Sequence, residues 1–302
     1  MKVLPPLTIT DAMLTTNIPE PDTGEGDPAV WSSGTTYAAD DEVSVASTHK
    51  IYVSVQAGNT NHDPTTDDGT WWIEKQATNA WAMFDQSRST QSIQADEIDV
   101  TIDPGQIVNG VALINVYALT VQVIVDDPVE GEVYNETVSL IADSGITDWY
   151  AYYFTPIERT TDIAFLDLPA YGSATVQVIL AESGEDVLCG ALVVGSQVNV
   201  GITNYGTTTG IINYDRKTTD SFGNVNIVPV GFSRRADYDI TVETGKTNAI
   251  QNFLASTRGS AVVWVGNNDY AATVVYGFFK DFSILLSEYQ ISECNIQVEG
   301  LV

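Results

Sequence analysis

Apolar and polar residues alternate with a period of two along most of this chain, the spacing that sends successive side chains to opposite faces of a β-strand. Three short alternating runs at 42–45, 50–55 and 70–74 are separated by turn residues and predict a small antiparallel sheet. From 80 to about 201 the runs recur at 98–102, 110–116, 119–125, 134–141, 149–154, 162–166, 174–180 and 189–194. These eight Val/Ile-rich strands have no helical period and predict a two-sheet β-sandwich or jelly roll. The run Thr120-Val121-Gln122-Val123-Ile124 returns as Thr175-Val176-Gln177-Val178-Ile179, an echo expected to mark equivalent strands in the two halves of a sandwich.

After 201 the pattern changes. Strands are expected at 208–214, 224–232, 238–244, 261–265, 273–287 and 292–298. Between them 247–257 places Ile250, Phe253 and Leu254 at helical spacing, with Thr247 or Asn248 as a cap and Arg258-Gly259 as a stop. One helix among strands predicts an α+β sheet domain. The aromatic run 273–287 is longer than an ordinary strand, so it either bends through a bulge near Gly277 or reaches beyond its own domain. The final strand, running almost to Val302, is expected to be tied into a sheet or an intersubunit contact. At the other end, four prolines and a Gly24-Glu25-Gly26 run make 1–26 an extended arm or linker, with at most one short element around 7–14. The expected class is thus mainly β: an arm at 1–26, a mini-domain at 27–79, a β-sandwich at 80–201 and an α+β domain at 202–302.

Composition narrows the chemistry. Forty Asp and Glu against twelve Lys and Arg, a net charge of −28 over 302 residues, argue against a nucleic-acid-binding surface. Residues 76–200 hold 18 acidic and 2 basic residues, whereas 201–302 hold 10 and 7, which supports a boundary near 200. The pairs Arg216-Lys217 and Arg234-Arg235 either meet an acidic neighbour or guard strand edges. Acidity of this kind serves solubility or binds divalent cations. For calcium the candidate ligands are Asp126, Asp127, Glu130 and Glu132, with Asp63, Asp67 and Asp68 as a second cluster, though neither fits a calcium-loop motif.

No stretch has the length of a membrane span and the first residues lack a signal-peptide core, so synthesis in the cytoplasm without membrane insertion is expected. Cys189 and Cys294 lie in apolar runs and are expected to be buried thiols. Two histidines and no cysteine cluster leave little to build a zinc site from. No Gly-x-Ser-x-Gly elbow lies near His49 or His62, and no phosphate-binding glycine loop or dinucleotide fingerprint occurs, so no enzymatic activity is expected.

The most legible stretch is 27–84. It holds four of the six tryptophans and runs through Trp31, a turn with Tyr37, the Val43-Ser44-Val45 and Lys50-Ile51-Tyr52-Val53 strands, and the closing Trp71-Trp72, with Trp81 just beyond. This outline resembles the small carbohydrate-binding modules of bacterial chitinases. Together with Asn79-Ala80-Trp81-Ala82-Met83-Phe84-Asp85, it resembles more closely the versions carried by tail-associated proteins of tailed bacteriophages. The resemblance implies a structural virion protein of a tail tip or baseplate, arranged with copies of itself in a symmetric ring and in contact with other phage tail proteins. It also implies a sugar-binding face at Tyr52 and Trp71 or Trp72, with Trp31 and Tyr37 in the core. One aromatic platform of the chitinase modules is missing here, where Val55-Gln56-Ala57-Gly58 stands instead. Two readings stay open for the aromatics: the core of a mini-domain, or the glycan-contacting face of an adhesin that reads host-surface sugars.

Overall fold

Alternating Val/Ile runs need a partner for their apolar face, and the chain supplies it by pairing almost every run antiparallel to another. The computed structural model describes residues 1–302 except 142–148, 150–152, 154–157, 220–221, 269 and 287. The chain is mainly β with antiparallel sheets, and the strand expected over 149–154 falls, apart from Trp149 and Tyr153, outside the described residues.

In the middle region the two runs expected at 174–180 and 189–194 are one strand, Thr175–Gly195. It pairs along one edge with Ser92–Ile102, and along the other first with Thr120–Asp127 and then with Gly110–Tyr117. The register shifts between Ala181 and Asp186, where Gly184 takes φ 84° and Asp96 opposite takes φ 65°. Such a bulge bends a strand without ending it. Both halves then face one sandwich-like core, which holds Ile98, Val100, Val121, Val123, Val176 and Val178 together with Leu113, Val187, Cys189 and Leu192. The sequence echo has a different origin from the one expected. The two copies are direct neighbours, with Val123 opposite Val178 and Val125 opposite Val176, so both present the same alternation to one core face.

The first sixteen residues are woven into both large sheets through two short strands, where at most one short element was expected around 7–14. Lys2–Leu4 is inserted between Val262–Val265 and Val198–Asn199, and Leu14–Thr16 pairs with Ser92–Ile102. At Gly195 the crossing backbone comes so close that a Cβ would lie 2.1 Å from the Pro5 carbonyl oxygen, so only glycine fits.

The C-terminal region is an eight-stranded sheet with the helix Thr247–Ser256 on one face. Ile250 and Leu254 of that helix pack against Tyr238, Ile240 and Trp264. Full burial of each such aliphatic side chain is worth about 1.5–3 kcal/mol. The long aromatic strand Val274–Leu285 does bend, but its register shifts between Phe279 and Asp281 and not at Gly277. Gly277 instead abuts Gly300, where a Cβ would lie 2.1 Å from the Glu299 carbonyl oxygen.

The two sheets share a third core. Leu4, Ala112, Ile114, Ala191 and Val193 meet Val263, Val265, Val274 and Tyr276 there, which is why both faces are buried at the end of the 175–195 strand. At its margin the side chain of Asp162, 1% exposed, pairs with Arg234 and lies 3.6 Å from Arg88. The basic pair expected to meet an acidic neighbour or to guard a strand edge is therefore split. Arg234 meets the acidic middle region of its own chain, and Arg235 pairs with Asp237 on its own strand.

Candidate functional site

The mini-domain sheet is formed by Glu42–Val45, Lys50–Ser54 and Trp72–Ala77. So small a unit holds together only if large aromatics fill it. Its core is Tyr37, Val43, Tyr52 and Trp72, flanked by Trp31, Val45 and Trp71. The Tyr37 and Trp72 rings meet edge to face at 5.2 Å, and the Trp72 indole donates to the His62 carbonyl oxygen at 2.8 Å. The Tyr52 hydroxyl donates to Thr48 Oγ1 at 3.3 Å.

Of the three residues expected on a sugar face, Tyr52 and Trp72 are therefore internal, at 8% and 2% exposure. Trp71 is half-buried, and one ring face is covered by the His62 imidazole, stacked at 3.9 Å and 10°. Asp67 builds this end of the module by accepting the backbone N–H groups of Gly69, Trp71 and Trp72. Burial pushes its carboxyl upward, but the donors from Trp72, Trp71 and Gly69 outweigh that and hold it below the usual range. The second acidic cluster is thus partly a backbone cap.

The module is joined to the rest by a polar seam that no sequence motif announces. Asn79 is buried; its side chain donates to Asp22 and to the Ile93 carbonyl oxygen and accepts from the Ile93 N–H, while its own N–H reaches Asp27. Beside it Glu20 accepts from Thr78 Oγ1 at 2.7 Å and from the Trp81 indole at 3.1 Å. The His49 ring stacks on Trp81 at 3.9 Å, with Asp11 and Glu20 oxygens at its two nitrogens. In the sequence His49 stands out only as a histidine without a serine elbow and Trp81 only as part of the resemblance, and their partners Asp11 and Glu20 come from the proline-rich first 26 residues.

The acidic turn at 126–132 is built around Asp127. Its carboxylate accepts from the N–H groups of Val129 and Glu130 and from the Ser173 hydroxyl at 2.7 Å. Ser173 first, then the two backbone donors, hold its carboxyl below the usual range. Glu132 accepts from Asn135, and the other candidate ligands Asp126 and Glu130 point outward in exposed positions. Among the described residues no three His, Cys, Asp or Glu side chains come together in metal-holding geometry. Cys189 and Cys294 are free and buried; burial pushes their thiols up to about 12 and about 11, which keeps them protonated and inert.

An exposed apolar feature lies elsewhere, on a two-stranded ribbon. Thr208–Asn213 pairs with the start of Phe232–Glu243, and Arg216–Thr219 pairs with Val225–Val228 beyond it. Ile211, Val225, Ile227, Val228, Val230 and Phe232 are all exposed on it. No protein-family model matches this chain, and no curated protein sequence matches it.

Proposed function

We propose that this chain is a structural virion protein of a tailed phage, a tail-tip or baseplate component that assembles with copies of itself in a closed ring. The observation that carries this reading is the ribbon at 208–232. Two strands bury nothing of their own, yet Ile211, Val225, Ile227 and Val228 stand in solvent. An exposed apolar patch of this kind is what an assembly interface covers. Its occupant is a second copy of the chain. Arg216 and Lys217 on the ribbon form no ion pair among the described residues, and residues 76–200 offer the complementary surface with 18 acids against 2 bases. The same complementarity repeated from copy to copy closes a ring when the rotation permits. The resemblance of the Trp31 to Trp72 module to modules of tail-associated phage proteins supplies the particle.

The test is mass determination of the chain in solution, followed by imaging of phage particles labelled at this protein. A closed oligomer that dissociates when Ile227 and Val228 are both changed to Ser, and a ring at the tail tip, are the expected results. A monomer absent from particles overturns the reading.

A further inference from the structure

We propose that the C-terminal sheet carries a binding site for a neutral saccharide, in the groove between the 203–207 loop and the residues Asn267, Tyr270 and Thr273. The groove measures about 440 Å³, inside the range of small-molecule sites. Tyr205 is fully exposed and Tyr270 is 61% exposed, and both line it. An exposed aromatic ring offers a flat face for the C–H side of a pyranose, with a hydroxyl at its edge.

The polar groups around these rings are held in place. The Thr203 hydroxyl donates to the Gly266 carbonyl oxygen at 2.6 Å, which fastens the loop to the strand end opposite. Asn204 donates its backbone N–H to the Asp239 carbonyl oxygen at 2.7 Å and accepts from the Thr241 hydroxyl through its side-chain oxygen at 3.0 Å. That assigns the amide oxygen inward and leaves the NH2 group of Asn204 without a partner among the described residues. The Thr273 hydroxyl donates to the Asn267 and Tyr270 carbonyl oxygens and fixes the turn that presents Tyr270.

The class of ligand follows from what the lining lacks. In a chain of net charge −28, the described lining of this groove is Thr, Asn, Tyr and Gly, and the charge beside it is the Asp239 carboxylate, an oxygen of which lies 3.5 Å from where a Cβ of Gly206 would stand. An anionic ligand would meet long-range repulsion with no lysine or arginine in the described lining to offset it, and the single Asp239 carboxylate beside Gly206, short of the three groups a metal ion needs, can accept from ligand hydroxyls. Aromatic faces with amide and hydroxyl groups suit an uncharged polyhydroxylated ring. This site is separate from the mini-domain, and it does not rest on assignment to a phage tail, because binding is a property of the isolated chain.

The test uses the full chain, titrated calorimetrically and by saturation-transfer NMR with neutral tetrasaccharides of glucose, galactose and N-acetylglucosamine and with one sialylated glycan. Binding of at least one neutral probe is expected, weakened about tenfold or more by Tyr205→Ala or Tyr270→Ala, retained in Tyr205→Phe and unchanged in Trp71→Ala. Tyr205 packs in no core, so Tyr205→Ala is expected to melt as the parent does. No binding of any neutral probe at 10 mM overturns the site, as does binding indifferent to both tyrosine substitutions or limited to the sialylated glycan. Loss of binding in Trp71→Ala alone assigns the sugar to the mini-domain and also overturns it. Because the ring test reads mass and particle location, the two proposals fail separately.

Discussion

The carboxylate of Asp127 accepts three hydrogen bonds within the chain, the strongest hold coming from Ser173. A carboxyl depressed in the folded state adds stability that is present above its unfolded value of about 3.9 and is lost as the pH falls through its folded value. Ser173→Ala removes that largest cause. The parent is therefore expected to melt above Ser173→Ala at pH 7, with the difference closing below about pH 4; differential scanning calorimetry across pH reads this directly. Asp27 and Asp85 have the opposite sign, since burial raises both, so their contribution is present at low pH and is lost as the pH rises through their folded values. Sequence identified Asp127 as one acid of a candidate calcium cluster. It held no sign of which would be capped and which exposed, because the Ser173 partner lies 46 residues away.

At the scale of elements, the mini-domain rests on four buried side chains, of which Trp72 is the largest. Trp72→Ala is expected to cost about 3–5 kcal/mol, enough to unfold so small a unit while both large sheets persist. Limited proteolysis should then cut within 27–79 in the variant and leave the parent intact. The three runs that predicted this sheet do form its strands, although their burial does not alternate: Val43 and Ser44, and Ile51 and Tyr52, are buried as neighbours, and Trp72 alone is buried in the third. The helix was equally legible: it was expected over 247–257 and spans Thr247–Ser256. Other elements were hidden for physical reasons. Lys2–Leu4 and Leu14–Thr16 are three residues each, too short to show a period, and their prolines suggest a linker. The join of 174–180 to 189–194 runs through exposed Ser183, Gly184, Glu185 and Asp186, a polar stretch that looks like a turn and is a bulge. The groove beside Tyr205 belongs to no run at all, since its two sides are more than sixty residues apart.

For the whole molecule, the contact that matters most is the one between sheets. The Leu4 to Tyr276 core and the Arg88, Asp162 and Arg234 group couple the middle region to the C-terminal one. Asp162→Ala leaves two arginines without their carboxylate, and removing one partner of a buried pair costs about 3–5 kcal/mol. Calorimetry is expected to show the single transition of the parent split into two in this variant, one for each sheet. A single unshifted transition would count against the coupling.

The insertion of Lys2–Leu4 between Val262–Val265 and Val198–Asn199 also sets an order in time. Val3 sits opposite Trp264, about 260 residues away in sequence. During synthesis the first strand can pair with Val198–Asn199 once those residues are made, but its other edge must wait until Val262–Val265 has followed. The middle sheet can close first around Ser92–Ile102 and Thr175–Gly195, while the C-terminal sheet closes last. Long-range pairings of this kind slow folding, and they leave a strand edge open for the interval. A nascent chain halted before residue 262 is thus a half-closed molecule, with the second edge of Lys2–Leu4 open to any other strand that passes.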